Sequence, residues 1–125
     1  MTGPAAIATR FNDRINAGDL DGLVELMTDD HRFVDTTGHV VSGRSACREA
    51  WRSFFAAFPS YRNEFETVEE RAGTVLITGR SVCVDNADLD GPALWTAVVV
   101  GPAIAEWRVH DDTPDNRAGF GLPHG

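Results

Sequence analysis

The feature that most constrains the fold of this chain is an apolar stripe along residues 44–58. Its members recur at the i, i+3, i+4, i+7, i+8, i+11 spacing of one helix face: they are Cys47, Ala50, Trp51, Phe54, Phe55 and Phe58. The spacing predicts one long helix over 44–58, which Pro59 ends. Burial of this face contributes on the order of 10 kcal/mol before entropy costs, at about 1.5–3 kcal/mol per large apolar side chain. The helix must therefore pack on a broad apolar surface.

A pair of shorter helices is predicted before this long helix. Pro4 suits the first turn of a helix, and residues 5–17 carry apolar side chains at helical spacing. Gly18 ends that helix, and Asp19 caps a second one that runs to about Met27. The connection between them is short, so the two helices are expected to form a hairpin.

The rest of the chain has the pattern of β-strands interrupted by turn residues. One short strand is predicted over 31–35, followed by a loop over 36–42. Four more strands are predicted with short connections between them: 61–71, 74–85, 93–100 and 103–111. Strands joined in this way form a strongly bent antiparallel sheet.

Helices first and a meandering sheet afterwards predict an α+β architecture. The 125 residues are enough for one hydrophobic core, so the chain is interpreted as a single domain over residues 1–125. Thr113 and Pro114 could begin one more helical turn. After about residue 113 the chain is otherwise expected to be a loose tail.

Two of the predicted strands, 74–85 and 93–100, are largely apolar on both faces. A sheet with one face in water would alternate more cleanly between apolar and polar residues. We therefore expect the helices to cover one face and a second subunit to cover the other. This predicts a homodimer that forms through the outer face of the sheet.

The last predicted strand, 103–111, sorts its side chains between the two faces. Alternation directs Trp107 and Val109 toward the helices, with Asp111 at the rim of the same face. It directs Ile104 and His110 to the outer face. A bulge of one residue in this strand would exchange the positions of Asp111 and His110.

Charge and composition exclude several classes of function. The net charge is −8, and every Lys or Arg residue is Arg. Because phosphate binding needs a basic face, a nucleic-acid partner is not expected, and a lysine Schiff base is excluded.

No apolar run approaches the roughly 18 residues that span a bilayer, and the N-terminus lacks the pattern of a signal peptide, so a cytoplasmic location without membrane attachment is predicted. Cys47 and Cys83 match no metal or redox spacing and are expected to be buried.

Asp35 is the strongest candidate for an acid or base. It ends the short strand 31–35 and precedes the turn that leads to the aromatic helix. In an apolar pocket, desolvation would raise its pKa and make it a better base for proton abstraction or for activating water. The alternative is structural, because Asp-Thr-Thr-Gly is also a good turn sequence in which Asp accepts hydrogen bonds from backbone N–H groups. Both hypotheses remain open at this point.

Other polar residues are weaker candidates. Asp111 could pair with Asp35 or with a nearby arginine, and His110 suits the rim or an interface better than catalysis. His31 and His39 flank the short strand and are expected to be solvated. No ligand spacing predicts a metal site, and the absence of a Gly-rich phosphate loop predicts no cofactor.

Taken together, these stretches resemble the NTF2-like superfamily, in particular its SnoaL-like polyketide cyclase and ketosteroid isomerase branch. The matching segments are 11–27, 28–38, 41–58 and 104–112, with Ala-Gly-Asp-Leu, Asp-Asp and Ser-Gly-Arg as their most specific parts. The resemblance implies a cystatin-like cone in which a curved antiparallel sheet wraps around the long helix and leaves a deep cavity. It also implies that dimerisation through the outer sheet face is common.

Carried over residue by residue, the resemblance places Asp35 at the general-base position of the isomerases. Their oxyanion hole uses a Tyr and a protonated Asp. The Tyr position holds Phe11, and the Asp position falls near Trp95 and Thr96, where no carboxylate occurs. Ketosteroid isomerisation by that mechanism is therefore not expected.

The leading hypothesis is a cavity enzyme that performs isomerase, cyclase or epoxide-hydrolase-like acid/base chemistry on a small apolar molecule. Asp35 would be the base, assisted by Asp111 or His110. The residues expected to contact the ligand are Phe11, Ile15, Trp51, Phe54, Phe55, Phe58, Trp95 and Trp107. The alternative is a non-catalytic dimeric ligand-binding or adaptor protein of the same fold.

Overall fold

The computed structural model describes residues 3–123. The helices are α1 (Pro4–Ala17), α2 (Leu20–Glu25), α3 (Arg44–Ala57) and α4 (Pro114–Gly119), with a short 3₁₀ turn at Ala87–Leu89. The strands are β1 (Met27–Val34), β2 (Val40–Ser42), β3 (Arg62–Arg71), β4 (Thr74–Val82), β5 (Gly91–Val100) and β6 (Ala103–Asp111). The ends of the predicted N-terminal segment and of the predicted tail, residues 1–2 and 124–125, lie outside the described residues. Among the described helices, none is long and apolar enough to cross a membrane.

The N-terminal helical hairpin and the long helix form where they were predicted. Pro4 is the first residue of α1, and Gly18 ends the helix with φ of +65°, a conformation that glycine adopts without strain. The Asp19 side chain accepts a hydrogen bond from the Gly22 backbone N–H, which caps α2. The second helix ends earlier than expected because the Leu26 carbonyl accepts from the Ile104 N–H, which draws the next residues into the sheet.

Six strands form one sheet in the order β2-β1-β6-β5-β4-β3. The α+β architecture is confirmed, but the sheet is not antiparallel throughout: β1 runs parallel to β6, while the other four pairings are antiparallel. Strand β2 was predicted as loop and instead pairs with β1 as a hairpin. Irregularities in the β1–β6, β3–β4 and β5–β6 pairings strengthen the twist and curve the sheet around the helices.

The hydrophobic core lies between α1, α2 and α3 and the inner face of the sheet. Phe11, Trp95 and Trp107 are fully buried in it, and Trp51 is nearly so. Ile104 also belongs to this core, which corrects its predicted outward position. The reason is a bulge at Ala105, where the register between β5 and β6 shifts by one residue.

The segment after residue 113 contains the additional helical turn that Thr113 and Pro114 predicted. The Thr113 side chain accepts from the Asn116 N–H and begins α4. Arg117 donates two hydrogen bonds to the carboxylate of Asp112, at 2.5 and 2.8 Å. The ring of Phe120 then lies against His110, with 4.9 Å between ring centroids.

Candidate functional site

A cavity of about 310 Å³ opens between α3 and the inner face of the sheet. We call it the main cavity. Its aromatic wall consists of Phe33, Trp51, Phe54, Tyr61, Trp95 and Trp107. Its polar residues are Asp35, Thr36, His39 and Asn63. The wall is thus largely apolar and aromatic with a few polar groups, which is the usual composition of a small-molecule site.

Four of the eight residues predicted to contact a ligand line the main cavity: they are Trp51, Phe54, Trp95 and Trp107. Ile15, Phe55 and Phe58 instead line a groove of about 260 Å³ between the C-terminal ends of α1 and α3. Phe11 lines neither space. Its ring is packed in the core against Trp107, with 4.7 Å between ring centroids.

Asp35 lines the main cavity and also holds the turn between β1 and β2. Its Oδ1 accepts hydrogen bonds from the Thr37 N–H at 2.9 Å, the Thr37 hydroxyl at 2.6 Å and the His39 N–H at 3.0 Å. The hydrogen bond from the Thr37 hydroxyl, more than any other contact, lowers the pKa of Asp35 below its ordinary value. The predicted rise in pKa is therefore wrong, because the carboxylate lies at the solvent-accessible edge of the cavity and its hydrogen bonds outweigh desolvation. All three bonds go to Oδ1, which leaves Oδ2 free of them.

Asp111 and His110 lie beside the main cavity rather than in its wall. Both line an adjoining side pocket of about 170 Å³. The His110 imidazole is on the outer face of the sheet, where its Nε2 is 2.9 Å from the Thr96 hydroxyl. Burial, reinforced by Arg108, lowers the pKa of His110. The structure thus does not bring either residue together with Asp35 in the main cavity.

Tyr61 and Asn63 are cavity residues that sequence reasoning missed. The Tyr61 hydroxyl is 3.1 Å from the Ser81 hydroxyl, which donates to Asn63 Oδ1 at 2.8 Å. The Asn63 amide donates to Asn12 Oδ1 at 3.2 Å, and Asn12 donates back to the Asn63 carbonyl. This buried network joins α1, β3 and β4 and ends at the cavity wall. Desolvation raises the pKa of Tyr61, so its hydroxyl stays protonated.

Side-chain alternation from Tyr61 into β3 could have predicted that these two residues face the cavity. Tyr61, Asn63 and Phe65 fall on one face at a spacing of two, and Phe65 packs on the core. An Asn between two aromatic residues on an inward face is a buried amide, and a buried amide needs partners.

His31 was expected to be solvated, and this is wrong. It lies in the middle of β1, is fully buried and packs against Phe11. Its Nδ1 is 2.6 Å from the carbonyl oxygen of Ile104 and must therefore carry the proton, while Nε2 has no hydrogen-bond partner within residues 3–123. Burial lowers the pKa of His31 and keeps it neutral.

The side chains described do not form a metal centre. Within residues 3–123, no group of three or more His, Cys, Asp or Glu residues is close enough to hold an ion. Cys47 and Cys83 are both free and buried, as predicted. His39 is an exposed residue of the β1–β2 turn. It lines the main cavity because the turn places it close to Asp35.

Comparisons with known proteins agree with this architecture. Residues 8–113 match a family model described as a SnoaL-like domain. A comparison with curated protein sequences finds no match.

Three solved structures show how widely the fold is shared. A cystatin-fold protein from Novosphingobium aromaticivorans is 20% identical, with a TM-score of 0.78 over 89% of this chain and 100% of that chain. An LEH-like epoxide hydrolase from M. tuberculosis is 12% identical, with a TM-score of 0.77 over 87% and 82%. An NTF2-like protein from Mesorhizobium loti is 24% identical, with a TM-score of 0.71 over 86% and 88%. These similarities confirm the predicted NTF2-like, cystatin-like fold.

Proposed function

The chain belongs to the SnoaL-like domain family, and from that premise we propose that it binds a small, largely apolar molecule in the main cavity. The observation that carries this proposal is the wall itself: all three tryptophans of the protein line one space of about 310 Å³. That volume equals about ten water molecules in the liquid and lies at the lower end of the range for ligand pockets, roughly 300–1,000 Å³. A flat or cyclic molecule of one or two rings suits a wall of rigid aromatic side chains.

We further propose that Asp35 acts on the bound molecule as a general base. Its Oδ2 takes no part in the turn, and the lowered pKa of the carboxyl keeps it ionised at neutral pH. A base with a lowered pKa removes protons less effectively, so the reaction must start from a comparatively acidic proton or from a reactive ring such as an epoxide. An enolisable cyclic ketone and an epoxide are therefore the substrate classes to test.

One observation favours non-catalytic binding as the second candidate. The contacts of Asp35 are those of a turn residue, and neither Asp111 nor His110 lies in the main cavity to assist it. In that case the cavity binds a ligand without transforming it. This second candidate corresponds to the non-catalytic ligand-binding or adaptor protein that was predicted from the sequence as the alternative.

Binding is tested with 2-tetralone and styrene oxide as probes, followed by tryptophan fluorescence and NMR line broadening. Ala50 and Ala56 are both exposed alanines of α3, but only Ala50 lines the main cavity. Ala50→Phe should weaken binding of both probes, whereas Ala56→Phe, the matched control, should not. Binding that is equally strong in both variants, or absent from the unmodified protein, would contradict the proposed cavity.

Catalysis is tested separately from binding. Exchange of the α-protons of 2-tetralone in D₂O, and hydrolysis of styrene oxide, are measured for the unmodified protein and for Asp35→Asn. Asn keeps a carbonyl oxygen for the turn but removes the base, so we expect binding to persist and exchange to fall to the background rate. Exchange that continues unchanged in Asp35→Asn rules out Asp35 as the base, and binding without any turnover supports the non-catalytic candidate.

A further inference from the structure

The outer face of the sheet contains apolar and hydroxyl side chains that are buried although no helix of the core covers them. Leu94 is 0%, Leu76 3%, Thr78 5% and Thr96 9% exposed. The register places these residues side by side, with Leu76 opposite Thr96 and Thr78 opposite Leu94. Leu76 and Leu94 do not belong to the hydrophobic core cluster. Something other than the core must therefore shield them from water.

The segment that follows β6, residues 113–122, lies on this face of the sheet, and we call it the C-terminal strap. The ring of Phe120 contacts His110 on β6, while the carbonyl oxygen of the same residue accepts a hydrogen bond from Arg71 on β3. Strands β5 and β4 lie between β6 and β3 in the sheet. Because Phe120 reaches both β6 and β3, the strap crosses β5 and β4, which are the strands that carry the four buried side chains.

Several polar contacts hold the strap in place. Arg117 pairs with Asp112, and both side chains are less than one-fifth exposed, so this ion pair is better shielded than the other ion pairs of the described residues. Asn116 donates to the carbonyl oxygen of Asp111 at 2.7 Å, and Arg117 also donates to the carbonyl oxygen of Pro123 at 3.0 Å. These bonds fix α4 at the end of β6 and direct the following residues back over the sheet.

We propose that the C-terminal strap keeps the chain monomeric, because it occupies within one molecule the sheet face on which a second copy would otherwise pack. The homodimer was predicted because β4 and β5 are apolar on both faces. The strap supplies the missing cover from the same chain. Val98 and Val100 continue the outer face beyond the strap, and Val100 is 57% exposed, so removal of the strap would leave one continuous apolar patch. Patches of that kind promote self-association through the symmetric contact that identical chains make most readily.

The oligomeric state tests this proposal. The unmodified chain should sediment as a 13.6 kDa monomer at micromolar concentration. A chain that ends at Asp112 should self-associate, and a synthetic peptide of residues 113–122 added in excess should return it to the monomer. A dimeric unmodified chain, or a truncated chain that stays folded and monomeric, would overturn the proposal.

Because the truncated chain could fail to fold, the full-length variant Arg117→Ala/Phe120→Ala provides a second test. It removes the ion pair and the aromatic contact but keeps every core residue. We expect self-association to strengthen by about tenfold or more, which corresponds to the loss of roughly 1.4 kcal/mol of strap contacts. Asp115→Asn, an exposed change in the same helix, is the matched control and should leave the monomer unchanged. An equal response of the two variants would contradict a specific role for the strap.

Discussion

The two carboxylate oxygens of Asp35 differ in their contacts. Oδ1 satisfies the backbone N–H groups of Thr37 and His39, and Oδ2 remains available to the cavity. Removal of the side chain should therefore affect the stability of the turn as well as any chemistry. The choice of substitution therefore matters, because Asn can still accept the hydrogen bonds of the turn but cannot act as a base.

For stability, Asp35→Ala should lower the free energy of unfolding by about 1 kcal/mol, since it leaves two turn N–H groups without their acceptor. Asp35→Asn should cost less than half of that, because the amide oxygen can accept the same bonds. Urea denaturation at pH 7 measures both values. Equal losses in the two variants would show that the charge, rather than the acceptor, stabilises the turn.

The pH dependence of the Asp35 contribution has a definite sign. Because its pKa is lower in the folded than in the unfolded chain, the stabilisation is complete above the unfolded pKa of 3.8 and is lost as pH falls through the folded pKa. The same direction holds for Asp112, whose pKa is lowered by Arg117. The contributions of Asp35 and Asp112 are therefore lost only under strongly acidic conditions.

His31 should dominate the pH dependence at milder pH. Its pKa is lowered by burial, so below the unfolded value of 6.5 the unfolded chain binds a proton that the folded chain does not. We expect the free energy of unfolding to decrease as pH falls from about 6.5 toward 5. His31→Gln, which can still donate to the Ile104 carbonyl, should flatten this slope in denaturation curves measured at several pH values. His110 has a pKa shift of the same sign, so His110→Asn serves as the comparison, and a larger flattening from that variant would contradict the assignment to His31.

At the scale of single elements, the pairing of β3 with β4 depends on a close approach of two backbones. Gly79 of β4 lies opposite Phe65, next to the bulge in β3. A Cβ on Gly79 would lie 2.1 Å from the Glu64 carbonyl oxygen and 3.0 Å from the Phe65 Cα. Because both neighbours are backbone atoms, neither can move aside without breaking the pairing.

Gly79→Ala should therefore reduce the free energy of unfolding by about 2–3 kcal/mol, as expected for overpacking against a rigid backbone. Gly119→Ala is the control, since its Cβ would meet no atom within 4 Å and it lies in α4. That change should be neutral or slightly stabilising, by up to about 1 kcal/mol. Thermal unfolding of the two variants measures the difference, and a mild effect at Gly79 would show that the bulge can relax.

Elements that are defined by their own sequence were predicted well. Periodicity and the Gly and Pro residues at the ends located α1 and α3 to within a residue, and β6 matches its predicted range. The first half of β1 and all of β2 were missed because polar residues such as Thr28, Asp29 and Asp30 carry no local strand pattern. These segments become strands through pairing with β6 and with each other, which no local pattern reveals.

The candidate site was predicted only in part for a similar physical reason. Trp51 and Phe54 could be placed because their helix face is periodic, whereas Ile15 and Phe58 share that apolar character but lie in the separate groove. The sign of the Asp35 pKa shift depends on how far desolvation outweighs hydrogen bonding. The balance between desolvation and hydrogen bonding depends on how deeply the side chain is buried in the folded protein, and this depth cannot be determined from the sequence alone.

For the whole molecule, the parallel pairing of β1 with β6 has a consequence for folding. Arg32 of β1 lies opposite Glu106, which is 74 residues further along the chain. Contacts between distant residues slow folding because a long loop must close before they form. We expect chains that end at residue 100 to be digested rapidly by protease, and chains that end at residue 112 or later to resist it.

During synthesis the same pairing sets an order of events. The core between α1 and the sheet includes Trp107 and Ile104, both from β6, the strand of this sheet that is synthesised last. Helices α1 and α2 and strand β1 must therefore wait, with apolar faces exposed, until β6 has emerged. Slower translation of the residues between β1 and β6 would lengthen that exposure, and chaperones that bind nascent chains would have their longest contact with this protein during that interval.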